Sequence, residues 1–465
     1  MDLVLEAVEK RRDRSVDILS EFLRIPSVSS DPQRKADVQR AAQHLAGILR
    51  AEGIRSVEVV PTAGHPVVVA EHGGNPGAPT VLVYGHYDVQ PIPDPSLWTS
   101  PPFEPVVRDG KIWARGATDD KGQLLVHVLA AGAHLAATGE LPVNLKLVLE
   151  GEEEIGSGHL ADFVREQRRR LACDVVVISD TAMAQPGVPS ICTGLRGIAY
   201  AELTLRAARQ DLHSGGFGGA VDNPALVLGR VLGALKDPRT GRILIDGFYD
   251  DVRDVSAEER SGWKRLADPE ARYLGMTGAP RLFGEEGYSV VERVGARPSL
   301  DVNGIWGGFL GTGSMTVLPA RASAKVSMRL VPDQRPETAF AQLRRQVEKL
   351  LPPTVVLERF TDMHGAVPWV ANLDHPAMRA AFRAIEKGFG ATALGTREGG
   401  SIPIVPMLQD TLEAPVVLLG FGLHDEGAHG PDEHFDLGNF HAGIRTAAHY
   451  LREVREAVRP RAAVS

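Results

Sequence analysis

The chain has 465 residues, 43% of them hydrophobic, enough for a large core and, at roughly 150 residues per domain, about two to four domains. Lys and Arg number 51 against 59 Asp and Glu, a net charge of −8. Without concentrated positive charge, neither nucleic acid nor an anionic membrane is expected as a main partner, and no apolar run approaches the ~18 residues of a membrane span.

The N-terminal stretch "MDLVLEAVEKRRDRSVDILSEFL" reads as one amphipathic helix, charged throughout, and lacks the apolar heart of a signal peptide. "TVLVYGHYD" follows, an apolar run ending in His86 and Asp88. "RGATDDKGQ" places Asp119 and Asp120 before a helical pattern from Leu124 to Thr138. "LKLVLEGEEE" drives a second apolar run into Glu150, Glu152, Glu153 and Glu154, and "CDVVVISD" ends at Asp180. Cys173 and Cys192 lack CxxC spacing and read as buried thiols in a reducing cytosol rather than a cross-link or metal pair.

Around Thr193 the texture changes. "YAELTLRA" and "ASAKVSMRLV" alternate apolar and polar residues, as strands with one solvated face do. Helical stretches run from Pro224 to Leu235 and from Thr338 to Leu351, and "TVVLERF" supplies a further strand. The stretch from Lys236 to Pro298 carries no usable motif and reads as a surface excursion. "GGFGG" lacks the Lys-Ser/Thr of a phosphate loop and "GFLGTGS" fails the dinucleotide fingerprint, so both read as turns. Toward the C-terminus, "APVVLLGFGLHDEGAH" passes glycines to reach His424 and His429.

Short Val/Leu-rich runs without alternation, separated by helices, indicate an α/β domain with a mostly parallel sheet. Its ligands gather beyond the carboxyl ends of the strands, so His86, Asp119, the glutamates, Asp180 and a C-terminal histidine can converge. Carboxylates packed together repel, and a divalent cation removes that conflict; a mixed N/O donor set suits Zn²⁺ or Mn²⁺. Two such ions need about five or six protein ligands, one carboxylate bridging them, and a spare glutamate could then act as general base. Each feature alone has a plainer reading: the acid cluster as a solvated loop, the Asp pair as favourable helix N-terminal charge, a strand-end histidine as structural. Spacing does not choose between His424 and His429, or among the glutamates.

"GHYDVQP", "RGATDDKGQ", "EGEEEIGS", "ISD", "GLRG", "DLHSG", "SMRLVPDQ", "GTREGGSIPI" and "GAHGPDE" occur in an order that resembles the M20 metallopeptidases over nearly the whole chain. They look most like the cytosolic dipeptidase branch that includes carnosinase-like enzymes. The resemblance implies two divalent ions per subunit, Zn²⁺ ahead of Mn²⁺ or Co²⁺. His86 and Asp180 would hold one, Glu154 and His429 the other, and Asp119 would bridge them, joined to Asp120 by a cis peptide. A metal-bridging water would attack the peptide bond of a dipeptide or short peptide, with Glu153 as general base and Asp88 holding the His86 tautomer. Glu152 receives no role, and His424 falls outside the pattern. The implied division is a catalytic domain over 1–193 and 367–465, with a lid and dimerisation domain inserted over 194–366. In that insert, His213 would stabilise the oxyanion in the partner's site of a homodimer and Arg329 would pair with the substrate carboxylate. Thr316, Gly399, Gly400 and Ser401 would lie beside the substrate. Met315 stands where many relatives carry lysine. The implied location is the cytoplasm. The alternative substrate classes for the same site are N-acyl amino acids, for an amidohydrolase, and longer peptides, for a metallo-carboxypeptidase. A silent binding protein is the remaining class, and the intact His86, Asp119, Glu153, Glu154, Asp180 and His429 count against it.

Overall fold

The computed structural model describes residues 1–461, which form two compact units. The first comprises Met1–Thr193, Ala371–Thr396 and the described residues from Ile404 onward; the second comprises Gly194–Val370 and Arg397–Pro403. The short return over 397–403 carries Gly399, Gly400 and Ser401 into the second unit.

The first unit is α/β. Its sheet runs in the order Ser56–Val60, Val67–His72, Asn144–Glu150, Thr80–His86, Val175–Ile178, Val416–Leu418 and the strand beginning at Ser190. The four middle strands, from Asn144–Glu150 to Val416–Leu418, pair parallel, with antiparallel strands on either side. The unalternating runs explain this: Val175–Ile178 is buried throughout and Thr80–His86 from Val81 onward, so both faces are covered. The helix Lys121–Thr138 is buried from Lys121 to His134 and packs against Asp2–Lys10 and Leu437–Ala457. It stops at Gly139, whose left-handed φ of 77° lets its N–H close on Leu135 O.

The N-terminal stretch forms two helices, Asp2–Lys10 and Arg12–Leu23, rather than one. At the break Arg11 donates to the buried Glu52 at 2.6 Å.

The second unit is an antiparallel sheet in the order Ser299–Gly307, Arg321–Leu330, Gly197–Arg206, Val356–Ala366. Helices Pro224–Ala234 and Pro336–Leu350, each opened by proline, cover one face, and Leu203, Leu205, Val231, Met328 and Leu343 form the core between. The stretch 236–298, expected as a surface excursion, is folded. It contains helices Ala257–Trp263, Pro269–Thr277 and Val290–Gly295, with Trp263 buried. Ser256 with Glu259, and Ser289 with Glu292, form capping boxes.

Cys173 and Cys192 are buried and form no disulfide. Among the described residues no helix is long and apolar enough to cross a membrane.

Candidate metal centre

His86 and Glu150 end adjacent parallel strands, and Asp180 follows the next one. Gly85 makes room for this edge: a Cβ there would meet Asp120 Oδ2 at 2.8 Å and Leu124 Cβ at 2.9 Å. Asp120 is fully buried and accepts the His86 N–H at 3.2 Å, which ties the strand end to the start of the Lys121–Thr138 helix. The Asp119–Asp120 peptide is cis, as the resemblance implies.

Asp119 presents its two oxygens to two different groups. Oδ1 lies 3.1 Å from His86 Nε2, which is 3.8 Å from Asp180 Oδ2. Oδ2 lies 2.9 Å from His429 Nε2, which is 3.3 Å from Glu154 Oε2. Two sets with metal-ligand proximity result, His86–Asp119–Asp180 and Asp119–Glu154–His429. His429 adopts a left-handed backbone, φ 63°, unusual outside glycine.

The cluster's charges show why it suits cations. Burial pushes Asp180 well above the ordinary carboxylate range, with Asp119, Asp120 and Glu153 adding repulsion against the attraction of His86. Burial also raises Asp119, but the close imidazoles of His429 and His86 outweigh it and hold that carboxyl low. Hydrogen bonds to Asp119 and Glu154 lift His429 to about 10. For His86, burial opposes the charge, yet Asp119, Asp88 and Asp180 hold it well above the usual imidazole range. Protons on two imidazoles thus supply the positive charge these carboxylates require, and divalent ions could supply it instead by displacing those protons. The buried His86 Nε2 has no hydrogen-bond partner of acceptable geometry despite facing two carboxylates, which is how a ligand atom would be left. The donor set is imidazole and carboxylate without thiolate, so the residues fit Zn²⁺ or Mn²⁺.

Asp88 does more than the sequence suggested. The His86 Nδ1 hydrogen bond goes to the Asp88 main-chain oxygen at 3.1 Å, with the carboxylate at 3.4 Å. That carboxylate accepts the N–H of Glu153 at 3.2 Å and of Glu154 at 3.1 Å. It therefore fixes the imidazole and the acidic turn together.

The four glutamates part company. Glu150 accepts Tyr84 Oη at 2.5 Å and Ser157 Oγ at 2.8 Å, and burial pushes it up to about 8. Glu152 is buried, holding His65 N at 3.0 Å and His159 Nδ1 at 2.8 Å. Glu154 joins the second set and accepts Gln90 Nε2 at 2.7 Å. Glu153 remains beside both sets, and burial raises it to about 7, opposed by His86 and assisted by Glu154 and Asp119.

Three supporting residues escaped the sequence reading. One is Gln90. Another is Glu433, which accepts Arg115 Nη1 at 2.7 Å and the amides of Gly116, Thr118 and Asp119 at 3.0, 3.1 and 3.2 Å. The third is Glu426, which accepts Thr118 Oγ1 at 2.7 Å, Leu423 N at 2.8 Å and Asp436 N at 2.9 Å. Gln90 and Glu433 stand inside quoted motifs, but nothing local tells a ligand from its support. His424 lines a cavity of about 240 Å³ with Asp119 and Asp180, outside both ligand sets.

The remaining candidates lie in the second unit, in two places. His213 pairs with Val317 across a two-residue ladder, and Ser214 N donates to Thr316 O at 3.0 Å, so His213 and Thr316 share one exposed surface. Arg329 Nη1 donates to Ser401 Oγ at 3.1 Å, with Gly400 exposed beside it.

The profile of peptidase family M20/M25/M40 matches residues 82–453. The Cys-Gly metallodipeptidase dug1 of Schizosaccharomyces pombe is 33% identical, over 98% of both chains. The solved structure of human carnosine dipeptidase 1 is 32% identical, covers 97% of this chain and 98% of its own, and superposes with a TM-score of 0.81. The M20 family metallo-carboxypeptidase Sso-CP2 from Sulfolobus solfataricus also reaches a TM-score of 0.81, at 31% identity over 95% of this chain and 99% of its own.

A pH dependence follows from Glu150. Its folded pKa, about 8, lies above the ordinary glutamate value of 4.5, so its stabilising share is complete below 4.5 and lost as pH rises through 8. Glu150→Gln keeps an oxygen for Tyr84 and Ser157 but cannot ionise. Urea melts at pH 5 and pH 9 should show the wild type losing more stability than the variant, by about 1 kcal/mol or more; parallel losses would refute the assignment.

Proposed function

The chain belongs to peptidase family M20/M25/M40, and on that premise we propose that it is a metal-dependent dipeptidase acting on dipeptides and other short peptides. His86 and Asp180 would hold one divalent ion, Glu154 and His429 a second, and Asp119 would be shared; Zn²⁺ is the first choice. The observation that carries this reading is the division of the Asp119 oxygens between two imidazoles, at 3.1 and 2.9 Å. Two bound ions would polarise a scissile carbonyl and lower the pKa of an attacking water.

The chain's own groups have separable tasks. Glu153 is the proposed general base: it stands beside both ligand sets, its N–H is anchored on Asp88, and burial holds it near neutrality, where a group can both take and return a proton. His213 Nδ1 accepts the N–H of Gly215 at 3.0 Å, so the proton of the neutral ring resides on Nε2. That leaves a donor suited to an oxyanion. Arg329 and Ser401 would receive the substrate carboxylate, a planar fork matching two oxygens, with Thr316 and Gly400 beside the substrate. The working unit would be a homodimer assembled through the second unit, located in the cytoplasm; the buried thiols of Cys173 and Cys192 agree with a reducing compartment.

A second reading, a carboxypeptidase, is supported by the equal structural similarity to Sso-CP2. Rates on Ala-Ala, Ala-Ala-Ala and N-acetyl-alanine decide among the classes. The dipeptide should lead; preferred release of C-terminal residues from longer peptides would favour the second reading, and preference for the acetylated substrate an amidohydrolase. Glu153→Gln should keep its ions and lose roughly 10² to 10⁴ in kcat; near-normal turnover would remove Glu153 from the mechanism.

Subunit mixing tests the placement of His213. His213→Ala and Glu153→Gln homodimers should each be nearly inactive, while exchanged heterodimers regain activity in the site that combines Glu153 of one chain with His213 of the other. Heterodimers that stay inactive would place His213 in its own chain's site or outside catalysis.

A further inference from the structure

Arg196 sits between the strand ending at Leu195 and the strand starting at Gly197. Its guanidinium binds main chain: Nε donates to Gly399 O at 3.2 Å, and Nη1 to Arg297 O at 3.2 Å and Arg293 O at 3.4 Å. Its own carbonyl accepts Ser401 Oγ at 2.6 Å, and Ser401 Oγ is the atom to which Arg329 donates. One residue therefore holds both Gly399 and Ser401.

The surrounding backbone is closed tightly on this guanidinium. A Cβ at Gly399 would meet Arg196 Nη2 at 2.8 Å and Val294 O at 2.9 Å, and one at Gly295 would meet Arg397 O at 2.3 Å. Segments 293–297 and 397–399 touch because both positions are glycine. Behind them, Arg397 pairs with Glu259 at 2.7 Å, Arg260 with Glu292 at 2.6 Å, and the buried Arg297 with Glu285 at 2.7 Å. The stretch 257–297, which offered no motif, is thus a braced wall against the 397–401 segment.

Charge points the same way. Among the described residues neither Arg196 nor Arg329 forms an ion pair with a carboxylate. Burial, and then the Arg329 charge, push Arg196 down to about 10, which still leaves it cationic at neutral pH. Asp301 attracts both guanidinium groups without forming an ion pair with either, and it lies 3.9 Å from Lys236. Two neighbouring guanidinium groups that one unpaired carboxylate does not neutralise suit a further anion.

We infer that Arg196 is a positioning residue for the carboxylate subsite, setting Ser401 and Arg329, and that the 257–297 wall holds Arg196 and the 397–401 segment in register. The inference rests on the proposed pairing of Arg329 with a substrate carboxylate. A purely structural arginine would instead affect all substrates alike.

The experiment compares kcat/KM for Ala-Ala and for its C-terminal amide, Ala-Ala-NH2, in the full-length, metal-loaded protein. The wild type should prefer the free acid. Arg196→Met should lower the acid-to-amide ratio at least tenfold, chiefly through KM for the acid. Arg196→Lys should recover only part of the ratio, since one ammonium cannot span three carbonyls in Arg196's geometry. Glu259→Gln, which loosens the wall without reaching the substrate, should lower the ratio at least twofold. Equal losses on both substrates in Arg196→Met, or an unchanged ratio in Glu259→Gln, would overturn the inference. Should Arg196→Met fail to fold, Glu259→Gln and Arg196→Lys carry the test. A wild type that does not prefer the acid, or Arg329→Met with an unchanged ratio, would instead overturn the carboxylate reading beneath it.

Discussion

The first unit is organised around a carboxylate with two customers. Asp119 Oδ1 faces His86 and Asp180 while Oδ2 faces His429 and Glu154. Gathering this many acids at a largely buried strand edge is unfavourable by desolvation and by mutual repulsion. Something positive has to be there. Protonated imidazoles or divalent ions can fill that role, and only the ions can also activate a carbonyl and a water.

Much of the neighbouring structure serves to hold Asp119 and its partners still. Glu433 receives three amides of the 116–119 turn, and Glu426 takes Thr118 from the same loop that carries His429. Asp88 couples the His86 strand to the Glu153–Glu154 turn. These supports are themselves buried carboxylates, each given hydrogen-bond donors, whereas His86 Nε2 among the proposed ligands is left without a partner.

The sequence revealed the parts whose signal is local. Strands such as Val175–Ile178 were legible because unbroken apolar runs mean burial on both faces, and the acids at their ends followed from where a parallel sheet places ligands. The choice of His429 over His424, and the register within the glutamates, rests on family resemblance, since spacing cannot rank them; His429 lies against Asp119 and Glu154, while His424 lines the cavity shared with Asp119 and Asp180. Long-range support was illegible: Glu433 meets Asp119 across 314 positions, and nothing in either segment announces it. The 236–298 stretch offers no local motif, because its order comes from two capping boxes, Arg–Glu pairs and scattered buried side chains such as Ile243, Phe248 and Trp263 rather than from an apolar period.

The direct test of the shared carboxylate is ion content per chain by equilibrium dialysis against Zn²⁺, followed by elemental analysis. The wild type should retain two ions. Asp119→Asn should weaken both, whereas Asp180→Asn and Glu154→Gln should each weaken one and spare the other. A wild type that holds a single ion, or an Asp119→Asn variant that still binds two with undiminished affinity, would contradict the account.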